Sequence, residues 1–167
     1  PIRDHCFGLN AFPYAGQSIQ GIPGSNGQRI IYNSAALSVI HDVGTNTQQF
    51  FDLQKDDVSC VTISRDGKMA ATGAVGRRPY VLVWSTDLGE SMPDAAIQRD
   101  PSWPAELLQE CGRGFFVRAI NAVSISYDSK LVCAIGCDDH HTLGVFSILT
   151  GERVAEATAA NGAPPQI

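Results

Sequence analysis

The 167-residue sequence has no apolar run approaching the roughly 20 residues of a membrane-spanning helix, and its longest apolar stretches are strand-length. Its opening, PIRDHCFGLN, holds no signal-peptide h-region, so neither a membrane nor a secretory role is expected. Strong amphipathic helix periodicity is also missing, and the Ala-Glu-Leu-Leu stretch at 105–108 is too short to supply it. Cationic side chains are in deficit, with 12 Lys and Arg against 17 Asp and Glu for a net charge of −5. That balance argues against a general nucleic-acid binder, because phosphate contacts need clustered cations, but it leaves room for a local basic patch. The Gly-rich pieces GSNG, GAVGRR and CGRGFF lack both a Gly-Lys-Ser/Thr ending and a following helix, so they read as turns and strand ends, not phosphate loops. With no GxSxG elbow and no acid/base carboxylate pair, neither an enzyme nor a cofactor is expected. The five cysteines, at 6, 60, 111, 133 and 137, are an odd number, and three lie inside apolar strands. They read as small buried side chains of a reducing compartment, the cytoplasm or cytoskeleton.

What is present is organised around residues 111–146. Residues 122–127 alternate Ala122, Ser124 and Ser126 with Val123, Ile125 and Tyr127, and a polar turn follows at Asp128-Ser129-Lys130. A second apolar strand spans 131–135, a turn spans 138–141, and a third strand at 143–148 closes at Thr150-Gly151-Glu152. The same unit occurs earlier: Trp84 falls on Phe146 and Gly89 on Gly151, each at an offset of 62. Strand-turn-strand-turn-strand, with an aromatic in the third strand and a glycine after it, is the signature of a WD-type β-propeller blade. Such blades recur at about 40 to 45 residues. The excess here falls between Glu90 and Ala105, in a segment with three prolines that reads as an inserted surface loop. Trp103 in this loop is expected to be tucked under it as a staple, not offered as an interface anchor.

The opening segment differs in texture. Asn26-Gly27 signals a tight turn; RIIYN and LSVIHDV follow, separated by Ser34-Ala35-Ala36, and a turn at 44–47 precedes a last strand at 48–53. The expected organisation is therefore a lead and first atypical blade over 1–53, entered near Gln28. A blade with inserted loop 91–104 follows over 54–112, then a second over 113–158 and a Pro-rich connection to a further blade over 159–167. Closed propellers have four to eight blades. The fold expected is all-β, an incomplete arc of about three blades of a larger WD-repeat propeller.

Residues 111–126 (CGRGFFVRAINAVSIS) and 55–76 (KDDVSCVTISRDGKMAATGAVG) resemble stretches of the echinoderm microtubule-associated-protein-like family, and 3–10 with 29–43 resemble a diverged form of that family's hydrophobic motif. The resemblance implies a hydrophobic motif followed by WD repeats in a non-catalytic scaffold. Its partners would be tubulin or microtubules and other cytoskeletal or axonemal proteins, in the cytoplasm and in settings such as the axoneme of a cilium or flagellum. The family's Gly-His pair is replaced here by Leu53-Gln54, and its Trp-Asp by Trp84-Ser85 and Phe146-Ser147, so the His-Ser-Asp-Trp hydrogen-bond network of some WD blades is incomplete. The competing reading is a generic WD-repeat adaptor that assembles a signalling, trafficking or ubiquitin-ligase complex.

In a WD-type blade, the loops joining the second strand to the third, and one blade to the next, emerge on the same face. That places Arg77, Arg78, Arg113, Arg118 and the turn at 138–141 near one rim, a basic patch suited to an acidic partner; the acidic tails of tubulin are what the resemblance implies. The bland alternative is a solvated charged face. Cys133 and Cys137 with Asp138, Asp139, His140 and His141 can be drawn as a metal site, but strand register assigns the DDHH run to a turn, where short polar side chains satisfy backbone groups. His5 and His41 read as ordinary surface or core residues.

Overall fold

The computed structural model describes residues 5–6, 8–9, 18–86 and 107–158. The insert 91–104 with Trp103, and the Pro-rich 159–167, lie outside the described residues. The described chain is all strand and turn. Strands β1 (Ile19–Gly21), β2 (Arg29–Ser34), β3 (Leu37–Asp42) and β4 (Thr47–Phe51) form a first antiparallel sheet in chain order. Strands β5 (Val58–Ile63), β6 (Met69–Ala74), β7 (Val81–Ser85) and β8 (Leu107–Cys111) form a second, and β9 (Ile120–Ile125), β10 (Leu131–Gly136), β11 (Thr142–Ser147) and β12 (Arg153–Thr158) a third. Three four-stranded meanders stacked face to face are an incomplete arc of WD-type propeller blades.

The 62-residue offset is written into the hydrogen bonds. In the turn between β5 and β6, the Ser64 hydroxyl donates to Asp66 at 2.6 Å, and Asp66 and Ser64 accept from the Lys68 and Met69 amides. Between β9 and β10, Ser126, Asp128, Lys130 and Leu131 repeat the set. Gly67 and Ser129 occupy the same left-handed position, at φ 74° and 58°. An Asp two residues after a Ser stabilises such a turn because both side chains accept from the chain that has just reversed. Hydrogen bonds from Ser64 and then from the Lys68 amide hold the Asp66 carboxyl below the usual carboxylate range. A depressed folded value means that this contribution is present at neutral pH and fades as pH falls through it, below about 3.9. Asp66→Ala should therefore cost about 1 kcal/mol at most for a solvent-screened turn at pH 7. The difference from the parent should vanish in denaturant titrations at pH 2–3.

The core lies between the sheets. Ile31, Ile40 and Phe51 of the first sheet meet Val61, Ala70, Leu82 and Trp84 of the second, and Phe51 stacks on Trp84 at 4.4 Å and 5°. Cys60, Ala71, Val81 and Val83, on the other face of the second sheet, meet Ile120, Val123, Val132 and Phe146 of the third. Burial of the two thiols at this interface pushes Cys60 up to about 12 and Cys111 up to about 11. Strand β5 packs against both β2 and β9 and is buried nearly throughout, whereas β12 is exposed along its whole length. β5 therefore lies at the inside of the arc and β12 at its outer edge.

The far face of the third sheet shows that the arc is open. The offset places Cys133, Ile135, Leu143 and Val145 on Ala71, Gly73, Val81 and Val83. The latter set is covered by the third sheet, while the former is only half-buried, with no sheet over it among the described residues.

Two local departures from the sequence reading stand out. Residues 107–111 had no strand assigned, yet they pair with β7 from Val81↔Cys111 to Trp84↔Leu107. The short β1, ahead of Asn26-Gly27, pairs with β2 and completes the first sheet. The incomplete Trp network is visible in atoms: Trp84 Nε1, Thr72 Oγ1 and the Gln54 Oε1 are buried and find no partner among the described residues, while Gln54 Nε2 donates to Tyr80 O at 3.4 Å.

Candidate functional site: an arginine-bearing rim

One end of the arc is laced together by its connecting loops. The Val75 amide donates to Asp57 O and the Cys137 amide to Ala119 O, both at 2.8 Å, and these two bonds are again 62 residues apart. Gly76 N donates to Arg118 O at 2.7 Å, beside the isolated bridge Val75↔Ala119. The loop at 75–80, between β6 and β7, is thereby fastened to the loop at 112–119, between β8 and β9. Gly76 has φ 137°, and a Cβ there would lie 2.6 Å from Asp56 Oδ2, so this crossing needs a glycine both for its backbone angle and for the carboxylate beside it.

Each arginine has a distinct setting. Arg118, itself at φ 71°, points a fork at Asp139, with Nη1–Oδ1 at 2.8 Å and Nη2–Oδ2 at 3.4 Å. Arg113 forms a fork with Glu110, its Nη2 2.5 Å from Oε2, and lies over the Tyr80 ring at 3.9 Å from the centroid. Hydrogen bonds donated to the neighbouring carboxylates push both guanidiniums further up. Both pairs are solvent-exposed and screened by water, so their main effect is to cancel charge and not to stabilise the fold. Arg77 and Arg78 are exposed and form no ion pair among the described residues.

The structure thus joins the loops of Arg77, Arg78 and Arg118 through the Gly76–Arg118 hydrogen bond, and places Arg113 on the ring two residues beyond Arg78. It also brings Asp56, Glu110 and Asp139 to the same rim, which becomes mixed in sign, with Arg77 and Arg78 left without an ion pair among the described residues. Sequence reasoning placed the 138–141 turn, and with it Asp139, at this rim, but missed its pairing with Arg118 and the presence of Asp56 and Glu110. Glu110 stands three residues from Arg113 and was legible as a short-range pair, but Asp139 lies 21 residues from Arg118 and is brought there only by the β10–β11 turn.

The 138–141 run is spent on that turn. Asp138 accepts from the His140 amide at 3.0 Å, the Thr142 amide at 3.2 Å and the Thr142 hydroxyl at 2.9 Å. Burial pushes the Asp138 carboxyl up, and the hydrogen bonds from Thr142 and His140 outweigh it, leaving it below the usual range. Among the described residues, no three His, Cys, Asp or Glu side chains converge as metal ligands. Among the described residues, what this rim exposes is charge of both signs.

Echinoderm microtubule-associated protein-like 1 of Rattus norvegicus is 25% identical over 143 residues, covering 80% of this chain and 16% of that protein. Echinoderm microtubule-associated protein-like 2 of Mus musculus is 26% identical over 136 residues, covering 80% and 20%. The 77 kDa echinoderm microtubule-associated protein of Strongylocentrotus purpuratus is 29% identical over 125 residues, covering 70% and 16%. The chain is similar to echinoderm microtubule-associated proteins. It spans a fifth or less of the length of these relatives. No family model matches the chain. No helix among the described residues is long and apolar enough to cross a membrane.

Proposed function

We propose that this chain is a member of the echinoderm microtubule-associated-protein-like family and forms part of a non-catalytic propeller scaffold that binds microtubules. The observation that carries this reading is the similarity, over 70–80% of the chain, to relatives that are each named microtubule-associated. In the same reading, residues 3–10 and 29–43 are the diverged hydrophobic motif and the second and third sheets are WD repeats. The family resemblance extends the setting to the microtubule cytoskeleton and the axoneme.

The contact is assigned to the arginine rim, and within it to Arg77 and Arg78. The chain carries a net charge of −5, so overall it is repelled by an acidic lattice and any attraction must be local. Arg113 and Arg118 are already neutralised within the chain, which leaves the pair at 77 and 78 as the cations free to meet carboxylates. With a Debye length of about 8 Å at physiological salt, such a contact weakens steeply as salt rises.

The test is co-sedimentation of the full-length protein with stabilised microtubules across a salt series, alongside tubulin trimmed of its acidic tails. The expected result is saturable pelleting that fades with salt and with tail removal. Arg77→Glu/Arg78→Glu should raise the half-saturating concentration by about tenfold or more, because like charges replace attraction at a rim. Pelleting unchanged by the double reversal would remove the rim from the contact. No pelleting at low salt would overturn the microtubule reading in favour of the adaptor.

A further inference from the structure

The outer face of the first sheet, turned away from the second, is already occupied. Register puts Ile19, Ile30, Tyr32, His41 and Gln48 on this face, alternating with Ile31 and Ile40, which enter the core. The segment carrying His5, Cys6, Gly8 and Leu9 lies against it, bordering an open groove of about 650 Å³ with Ile19 and Ile30 in its wall. Tyr32 and Val39, both on the outward side of their strands, are only 8% and 0% exposed.

The contact is made through main chain. The Cys6 amide donates to Gln48 Oε1 at 2.7 Å, and Gln48 Nε2 donates back to Cys6 O at 3.3 Å. Gln48 Nε2 also donates to the Tyr32 hydroxyl at 3.0 Å, which in turn donates to Cys6 O at 3.1 Å. One carboxamide thus offers Cys6 both an acceptor and a donor, as the peptide of an adjacent strand would. At the near end, His5 Nε2 lies 3.2 Å from Asn46 O, and the His5 and His41 rings meet edge to face at 6.5 Å.

We propose that this segment is an intramolecular strap that covers part of the outer face of the first sheet, with Gln48 and Tyr32 as its latch. The first and third sheets end the arc differently as a result. The third leaves Cys133, Ile135, Leu143 and Val145 half-buried and uncovered by any sheet among the described residues, whereas the first is partly covered by its own chain, with a groove left open beside Ile19 and Ile30. Because the latch reads backbone, it is indifferent to the side chain at position 6 and sensitive to every change in the Gln48 carboxamide. The proposal stands independently of microtubule binding.

Amide hydrogen exchange on the full chain tests it, with Ile31 and Ile40 as reporters of an intact sheet. The parent should show a protected Cys6 amide. Gln48→Ala should accelerate its exchange by about tenfold, as expected for losing one or two hydrogen bonds, while Ile31 and Ile40 stay protected and Cys6→Ser exchanges as the parent does. Tyr32→Phe, which removes a single oxygen, should accelerate Cys6 exchange a few-fold and supplies the readout if Gln48→Ala disturbs the sheet. A Cys6 amide that exchanges at the rate of an unstructured peptide in the parent overturns the strap. A Cys6 amide indifferent to both latch variants overturns the latch.

Discussion

Trp84→Ala should destabilise the chain by about 3–5 kcal/mol, the range for truncating a large buried aromatic. Trp84 is 1% exposed, stacks face to face on Phe51 of the neighbouring sheet, and sits in the cluster that joins Ile31 and Ile40 to Val61, Ala70 and Leu82. Its removal empties the seam between the first and second sheets at its largest side chain. A domain of this size loses about 2–4 °C of Tm for each kcal/mol, so thermal unfolding should shift down by roughly 6–20 °C. Trp84→Phe should behave quite differently. The indole N–H is buried and finds no partner among the described residues, so nothing polar is lost with it, and an unpaired buried donor is itself a cost of about 1–3 kcal/mol. The ring that stacks on Phe51 is kept, and Phe146 fills the equivalent place in the third sheet. A Tm within a few degrees of the parent is expected. An equal loss for both variants would show that the indole nitrogen holds the seam through a partner of its own.

Gly73→Ile should separate the second and third sheets. A Cβ at Gly73 would lie 2.7 Å from Ile120 Cγ2, 2.8 Å from Ile120 Cβ and 2.8 Å from Cys60 Sγ, all nearer than real Cβ atoms approach. Ile120 sits on β9, and the hydroxyl of Ser59, next to Cys60, donates to its carbonyl at 2.6 Å, so neither wall of the gap can retreat without breaking the junction. Overpacking of this kind costs about 1–3 kcal/mol where the core can shift, and more where it cannot. The readout is specific. Cys60 is fully buried, with its thiol pushed up to about 12, and should resist alkylation in the parent. In Gly73→Ile it should label readily, as followed by peptide mapping, whereas Cys133 on the open face labels equally in both. Continued protection of Cys60 would mean that the sheets accommodate the branched side chain. The third sheet carries an isoleucine at the equivalent position, 135, where no β9-like strand approaches among the described residues.

The sequence by itself determined the repeat. The Ser-x-Asp-x-Lys turns at 64–68 and 126–130, the aromatics at 84 and 146, the alternation in β9 and the short apolar run of β10 are all local signals, because turn chemistry and strand patterning act between residues close in the chain. From them follow three antiparallel meanders and an arc that does not close. By the same logic the four arginines are expected on one rim, since strand order decides at which end of a blade each loop emerges.

Tertiary structure decided the rest. Residues 107–111 become a strand only because β7 offers an unpaired edge, and no propensity within Leu-Leu-Gln-Glu-Cys chooses between strand and helix. Which arginines keep their charge free depended on Asp139, 21 residues from Arg118, and on the Tyr80 ring beneath Arg113. The hold of Gln48 on Cys6, 42 residues away, has no local signature at all. Each of these rests on a contact between residues far apart in the chain, whose partners are chosen by the packing of sheets and not by the order of residues along them.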